Sequence, residues 1–97
     1  MTKGLVFSDP AIRDIDEIYD YTEDNWGFEQ AEYYVFALRE QCVLLADGTR
    51  SGKALKSKKE GYKALTFRSH FIIYTESLDE LTIVRILHRR MNISNHL

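Results

Sequence analysis

At 97 residues, with 44% hydrophobic, 12% aromatic and 29% charged side chains, the chain is long enough for one core and apolar enough to fold, which excludes a second domain and global disorder. A net charge of −2 hides an uneven distribution: residues 1–47 hold three bases against eleven acids, net −8, whereas residues 48–97 hold ten bases against four acids, net +6. No apolar run approaches the ~18 residues of a membrane span, residues 1–10 lack the basic and apolar segments of a secretion signal, and the lone Cys42 cannot form an internal disulfide, so a cytoplasmic protein with no membrane partner is expected.

Gly4-Leu-Val-Phe-Ser8 reads as a short edge strand. Asp9-Pro10 then predicts a helix start, with Asp9 as N-cap and proline at the first helical position, where a missing N–H costs nothing. Ile12, Ile15, Tyr19 and Thr22 recur at helical spacing, widened by Ala11 and Ile18, while Asp14, Asp16, Glu17 and Asp20 line the remainder; this predicts an amphipathic helix ending near Asn25. Trp26-Gly27 interrupts the pattern, and the short gap before the next periodic run predicts a helical hairpin; Trp26 is either a functional aromatic or, as is commoner at a hairpin turn, a plug at the end of the core. The second helix begins near Phe28, buries Ala31, Tyr34, Val35, Leu38, Cys42 and Leu45, and stops at Gly48, which can take the left-handed conformation.

Thr49 to Gly61 carries five bases and one acid with glycines on both sides, and reads as a mobile basic loop. Three strands follow, Tyr62 to Ser69, His70 to Glu76 and Leu81 to His88, joined tightly around Arg68-Ser69-His70 and Ser77 to Glu80, which predicts an antiparallel meander. In LTIVRILH both parities are apolar, as in a central strand covered on both faces. The helical hairpin covers one face; the other either gains its own cover or offers an apolar patch to a partner. Residues 1–97 are thus expected to form a single α+β domain, an N-terminal strand and an α-helical hairpin packed on an antiparallel β-sheet.

The chemistry on offer is narrow. His70, His88 and His96 have no paired metal-ligand spacing, and one cysteine excludes the usual zinc clusters, so neither a metal nor another cofactor is expected. There is no Gly-x-Ser-x-Gly elbow, and the glycines of RSGKALKSKKEG lack P-loop spacing. RNA cleavage and electrostatic docking remain. Cleavage needs a base, an acid and cations around the phosphorane, which Lys56, Lys58, Arg68, Arg85 and His88 have the right chemistry to supply. Each also has a structural alternative: Arg85 inside an apolar strand can pair with a carboxylate of the first helix, and His88 can cap a strand end.

The order of short motifs resembles the ParE toxins of the wider RelE/ParE superfamily: an acidic first helix, Trp26-Gly27 before Glu29-Gln30-Ala31, then Leu44-Leu45-Ala46, Gly61-Tyr62, Ser69-His70-x-Ile72-x-Tyr74, Ile83-Val84-Arg85-Ile86-Leu87-His88, Met91-Asn92 and His96-Leu97. The resemblance runs from about Phe7 to Leu97. It implies a toxin of a type II toxin–antitoxin module that inhibits DNA gyrase by stabilising the cleaved gyrase–DNA complex, without bond chemistry of its own or sequence-specific nucleic-acid binding. It also implies a ParD-type antitoxin whose C-terminal segment lies on the uncovered, apolar and basic sheet face. On this reading His88, Arg89, Arg90 and Met91 form the gyrase-binding surface, and Arg68, Tyr74 and Arg85 contact the antitoxin. The RelE branch of the superfamily holds ribosome-dependent mRNA endoribonucleases, which often carry a C-terminal aromatic that stacks on a base. Here the last aromatic is Tyr74, and His88 is followed by Arg89-Arg90-Met91. Losing such a platform forfeits about 1–3 kcal/mol per base, which favours the gyrase alternative. A toxin-like domain that is inert, or that only binds its antitoxin, is the third expectation.

Overall fold

The computed structural model describes residues 2–56 and 60–97. Those residues form β1 (Gly4–Phe7), α1 (Asp9–Trp26), α2 (Phe28–Ala46), β2 (Lys53–Ala54), β3 (Lys63–Phe67), β4 (His70–Glu76), β5 (Glu80–His88) and a 3-10 turn over Ile93–Asn95. The sheet order is β1-β5-β4-β3-β2, antiparallel except for β1, which runs parallel to β5 with Phe7 opposite Ile83. The expected α+β architecture is therefore present: a helical hairpin on a mostly antiparallel sheet. Of the basic loop expected over Thr49 to Gly61, Ser57, Lys58 and Lys59 lie outside the described residues, and part of the remainder is the short strand β2.

Helix α1 begins one residue earlier than its sequence suggests. Ser8 is the N-cap, its Oγ accepting from the Ala11 N–H at 3.1 Å and donating to the Val84 carbonyl at 2.7 Å, while Asp9 falls in the first turn, where its charge suits the helix dipole. The buried stripe of α1 is also rotated: Ala11, Asp14, Ile15 and Thr22 face inward, and Ile12 is 47% exposed. The two helices are separated by Gly27 alone, whose φ of 92° favours glycine. In α2 the expected residues Ala31, Val35, Leu38, Cys42 and Leu45 are buried. With Ile72, Tyr74, Leu81, Ile83 and Ile86 they make one core between hairpin and sheet.

The opposite sheet face corrects an expectation. Ile73 and Leu87 lie outside that core cluster yet are 0% and 1% exposed, so the apolar centre of this face is not open. The C-terminal tail returns to Arg85 of β5, the His96 carbonyl accepting from Nη1 at 3.2 Å. Large exposed apolar side chains sit on the helical hairpin instead, among them Tyr33, Phe36 and Val43 along α2.

Candidate functional site

One corner of the molecule gathers most of the residues singled out by sequence. The β3–β4 hairpin turns on two residues, Arg68 and Ser69, between Phe67 and His70. Arg68 has a φ of 52°, a left-handed conformation that costs an L-residue about 1–2 kcal/mol. Its guanidinium packs over the rings of Phe67 and Tyr33, 5.2 and 5.4 Å from their centroids, and Nη2 donates to the Tyr33 hydroxyl at 3.3 Å. The end of β5 lies beside this turn, with the Arg89 N–H donating to the Ser69 carbonyl at 2.9 Å and Arg89 Nη1 to the Arg68 carbonyl at 3.3 Å. His88 ends the strand as a cap: its Nδ1 accepts from the Arg90 N–H at 3.1 Å and its carbonyl from the Met91 N–H at 2.9 Å. Accepting at Nδ1 fixes the neutral ring as the Nε2–H tautomer. Arg89, Arg90 and Met91 are exposed, and among the described residues neither arginine has a carboxylate partner.

Next to the arginines a cleft of about 260 Å³ opens between the hairpin's tip and the sheet. Its floor is built by register. His70 opens β4 and His88 closes β5, so the antiparallel pairing sets them opposite one another, ring centroids 5.4 Å apart and nearly perpendicular. Tyr34 of α2 reaches down to His70, its hydroxyl 2.6 Å from Nδ1. Burial and the neighbouring His88 hold the His70 pKa down to about 4, with Asp14 pulling weakly the other way, so this ring is neutral near pH 7. Burial likewise raises the Tyr34 phenol against the opposing influence of the Ser69 backbone and Arg68. Both groups are therefore hydrogen-bonding partners at neutral pH, with no proton to give up readily. Above them the rim is aromatic: Trp26, which does not plug the core, is 64% exposed and stands edge-on to Tyr21 with centroids 5.9 Å apart. The helix runs on through Trp26, leaving the indole on the outer wall of the cleft.

Other expected residues lie elsewhere. Tyr74 is 1% exposed in the core, its hydroxyl accepting from the Gly52 N–H at 2.7 Å, so it has no surface for an antitoxin. A Cβ on Gly52 would lie 2.4 Å from the Ala64 carbonyl oxygen, which explains how the chain comes so near the phenol. Arg85 is committed to α1 through Nε and Nη2 donating to Asp14 at 2.8 and 2.9 Å, and the Ile86 N–H donates to the same carboxylate at 2.9 Å. That is the structural alternative read from the sequence. Lys58 lies outside the described residues. Sequence reasoning put Tyr34 in the buried stripe of α2, considered His70 only as a metal ligand and favoured a core plug for Trp26; the pairing of the first residue of one hairpin strand with the last of the next was the available signal for His70.

A second apolar groove lies between β1 and the two helices, lined by Leu5, Phe7, Ile12, Ile15, Arg39 and Val43. Among the described residues no group of three His, Cys, Asp or Glu side chains could hold a metal, and no helix is long and apolar enough to cross a membrane.

Comparison with known proteins adds a family. The family model for the ParE toxin of the type II toxin–antitoxin system parDE matches residues 5–93. A toxin ParE1 of Mycobacterium tuberculosis is 33% identical over 98 residues, covering 100% of both chains. A toxin ParE1 of Caulobacter vibrioides is 32% identical over 87 residues, covering 90% of each. Among solved structures, a chain of the chromosomal ParDE toxin–antitoxin system from P. aeruginosa superimposes with a TM-score of 0.77 at 25% identity, over 90% of this chain and 96% of that one.

Proposed function

The chain belongs to the ParE toxin family of type II toxin–antitoxin systems, and from that premise we propose that it arrests growth by docking on DNA gyrase and stabilising the cleaved gyrase–DNA complex, until a ParD-type antitoxin neutralises it. The observation that carries the reading is the convergence of Arg68, Arg89, Arg90 and Met91 on one exposed corner, beside a cleft whose His70 is held neutral. Exposed guanidiniums without carboxylate partners, on the turns that meet at this corner, are suited to gripping an acidic protein surface or a phosphate backbone. The set proposed for RNA cleavage is weakened, since Arg85 is tied to Asp14 and is not free to meet a phosphate.

The antitoxin is assigned differently from the sequence expectation. An apolar segment, helical or extended, fits the groove of Leu5, Phe7, Ile12 and Val43, with Arg39 at hand for an acidic residue. An acidic tail reaching on to Arg68 covers the docking corner at the same time, which gives neutralisation by occlusion. Tyr74 and Arg85 drop out of this contact, being buried and ion-paired respectively. Val43→Asp should release the antitoxin and leave the toxin folded and lethal, read by co-purification and growth; retention of full-affinity complex contradicts the assignment.

Arg89→Ala/Arg90→Ala should relieve growth arrest and gyrase inhibition while the circular dichroism melt is unchanged, because both side chains are exposed. The second reading, cleavage of translated mRNA, draws on His88 and Arg68 sharing that corner, and is distinguished by fragments of ribosome-bound message in place of trapped gyrase–DNA complex.

A further inference from the structure

The cleft at the hairpin's tip is built in two halves, of which the docking reading uses only the arginines of the second. One half is aromatic: the exposed Trp26 and Tyr21 form a wall over the Tyr34, His70 and His88 rings. The other is cationic, a shallow depression lined by Ser69, His88, Arg89 and Arg90. Ser69 and His88 line both, so the two open into each other. No carboxylate lines either half. From this juxtaposition the geometry points to a nucleotide site, in which a flat base enters between Trp26 and the imidazole floor while its phosphate rests on Arg89 and Arg90.

The chemistry selects a nucleotide over other occupants. A base presents a π face that Trp26 can stack on, as every base does whatever its sequence. It also needs a group that can both donate and accept at its edge, and Gln30 on the cleft's α2 wall is such a group. The Thr22 hydroxyl donates to the Ile18 carbonyl, which leaves its oxygen free to accept. An uncharged aliphatic peptide would leave the arginines unused, and an anionic lipid head or an inorganic anion would leave the aromatic wall without a flat ring to stack. Free mononucleotides and unstacked bases of a single strand share this chemistry. The inference shares Arg89 and Arg90 with the docking reading but has its own readout: a toxin that traps gyrase without binding nucleotides refutes only the present proposal.

Trp26 is the one tryptophan of the chain, so the site carries its own probe. Titration of the full-length protein with 5′-AMP should quench its fluorescence saturably, with adenosine binding about tenfold more weakly for want of the phosphate and inorganic phosphate causing no quench. Arg89→Ala/Arg90→Ala should bring AMP down to the affinity of adenosine. Trp26→Ala, followed by calorimetry, should weaken AMP roughly five- to a hundredfold. Equal affinity for AMP and an oligo(dA) strand assigns the site to free nucleotides, and much tighter binding of the strand assigns it to exposed single-stranded bases. The proposal is overturned by absence of saturable binding of either at millimolar concentration, by AMP binding indifferent to the loss of both arginines, or by an acidic aromatic peptide that binds where nucleotides do not.

Discussion

An arginine held at a φ of 52° is an unusual choice at a hairpin tip where glycine would fit without steric cost. Relief of about 1–2 kcal/mol on replacing Arg68 with glycine is offset by the lost packing on Tyr33 and Phe67, worth about 0.5–1 kcal/mol, and by glycine's extra chain entropy. Arg68→Gly should therefore leave stability within about 1 kcal/mol of the parent while diminishing toxicity or antitoxin affinity. A variant as toxic and as tightly bound as the parent would show that the strained arginine serves no interface. His70 makes a second residue-level prediction. It takes up its proton near pH 4 when folded but near the ordinary value of 6.5 when unfolded. Between those values the unfolded chain binds the proton first, so this contribution is fully present above about pH 6.5 and is lost as the pH falls toward 4. Allowing for the part of the ring that water reaches, the loss should be of order 1–2 kcal/mol. Urea melts at pH 7 and 5 should resolve part of it, and His70→Gln should flatten the slope; an unchanged slope contradicts the assignment.

At the scale of elements, the helical hairpin and the three long strands were legible because their apolar periods are long and unbroken. The errors have local causes. Ile12 was read as core and Asp14 as surface, since a hydrophobicity pattern counts a carboxylate as solvated; here Asp14 turns inward because three donors from β5 meet it. Ser8 won the cap from Asp9 because its hydroxyl serves two bonds at once. The parallel pairing of β1 with β5 joins the two ends of the chain, a contact on which local pattern is silent, and β2 has two residues and no apolar alternation to announce it. Tyr74, given to the antitoxin by the resemblance, is instead buried, and its hydroxyl meets the Gly52 N–H of a loop that no strand pattern records. The Asp14 contact is the tie between α1 and the sheet. Removing it by Asp14→Ala leaves the Ile86 N–H and the Nε and Nη2 donors of Arg85 unpaired, with only Nη1 keeping the His96 carbonyl, and should cost about 3 kcal/mol. For a domain of this size that is a fall in Tm of roughly 12 °C or more. A calorimetric loss under about 1 kcal/mol would mean that water satisfies the pair.

Across the whole molecule, charge and apolar exposure are segregated. The acids concentrate in residues 1–47 and the bases in residues 48–97, and the fold sets an apolar groove at the β1–α1–α2 side and a cationic corner where the β3–β4 turn meets the end of β5. An apolar groove that anchors the antitoxin and a cationic corner that its acidic tail then covers suit a protein that must be silenced by occlusion. Of the expected site, Arg68, His88, Arg89, Arg90 and Met91 are neighbours in space, which strand order already implied; the aromatic cleft beside them depends on how the hairpin's tip leans on the sheet, and that no linear pattern records. Gyrase supercoiling with purified parent protein and Arg89→Ala/Arg90→Ala, both without antitoxin, bears most directly on whether the corner acts by docking. The parent should halt supercoiling and accumulate cleaved DNA while the double variant, equally stable, does neither; equal inhibition by both, or a parent that spares gyrase and cuts ribosome-bound mRNA, would contradict it.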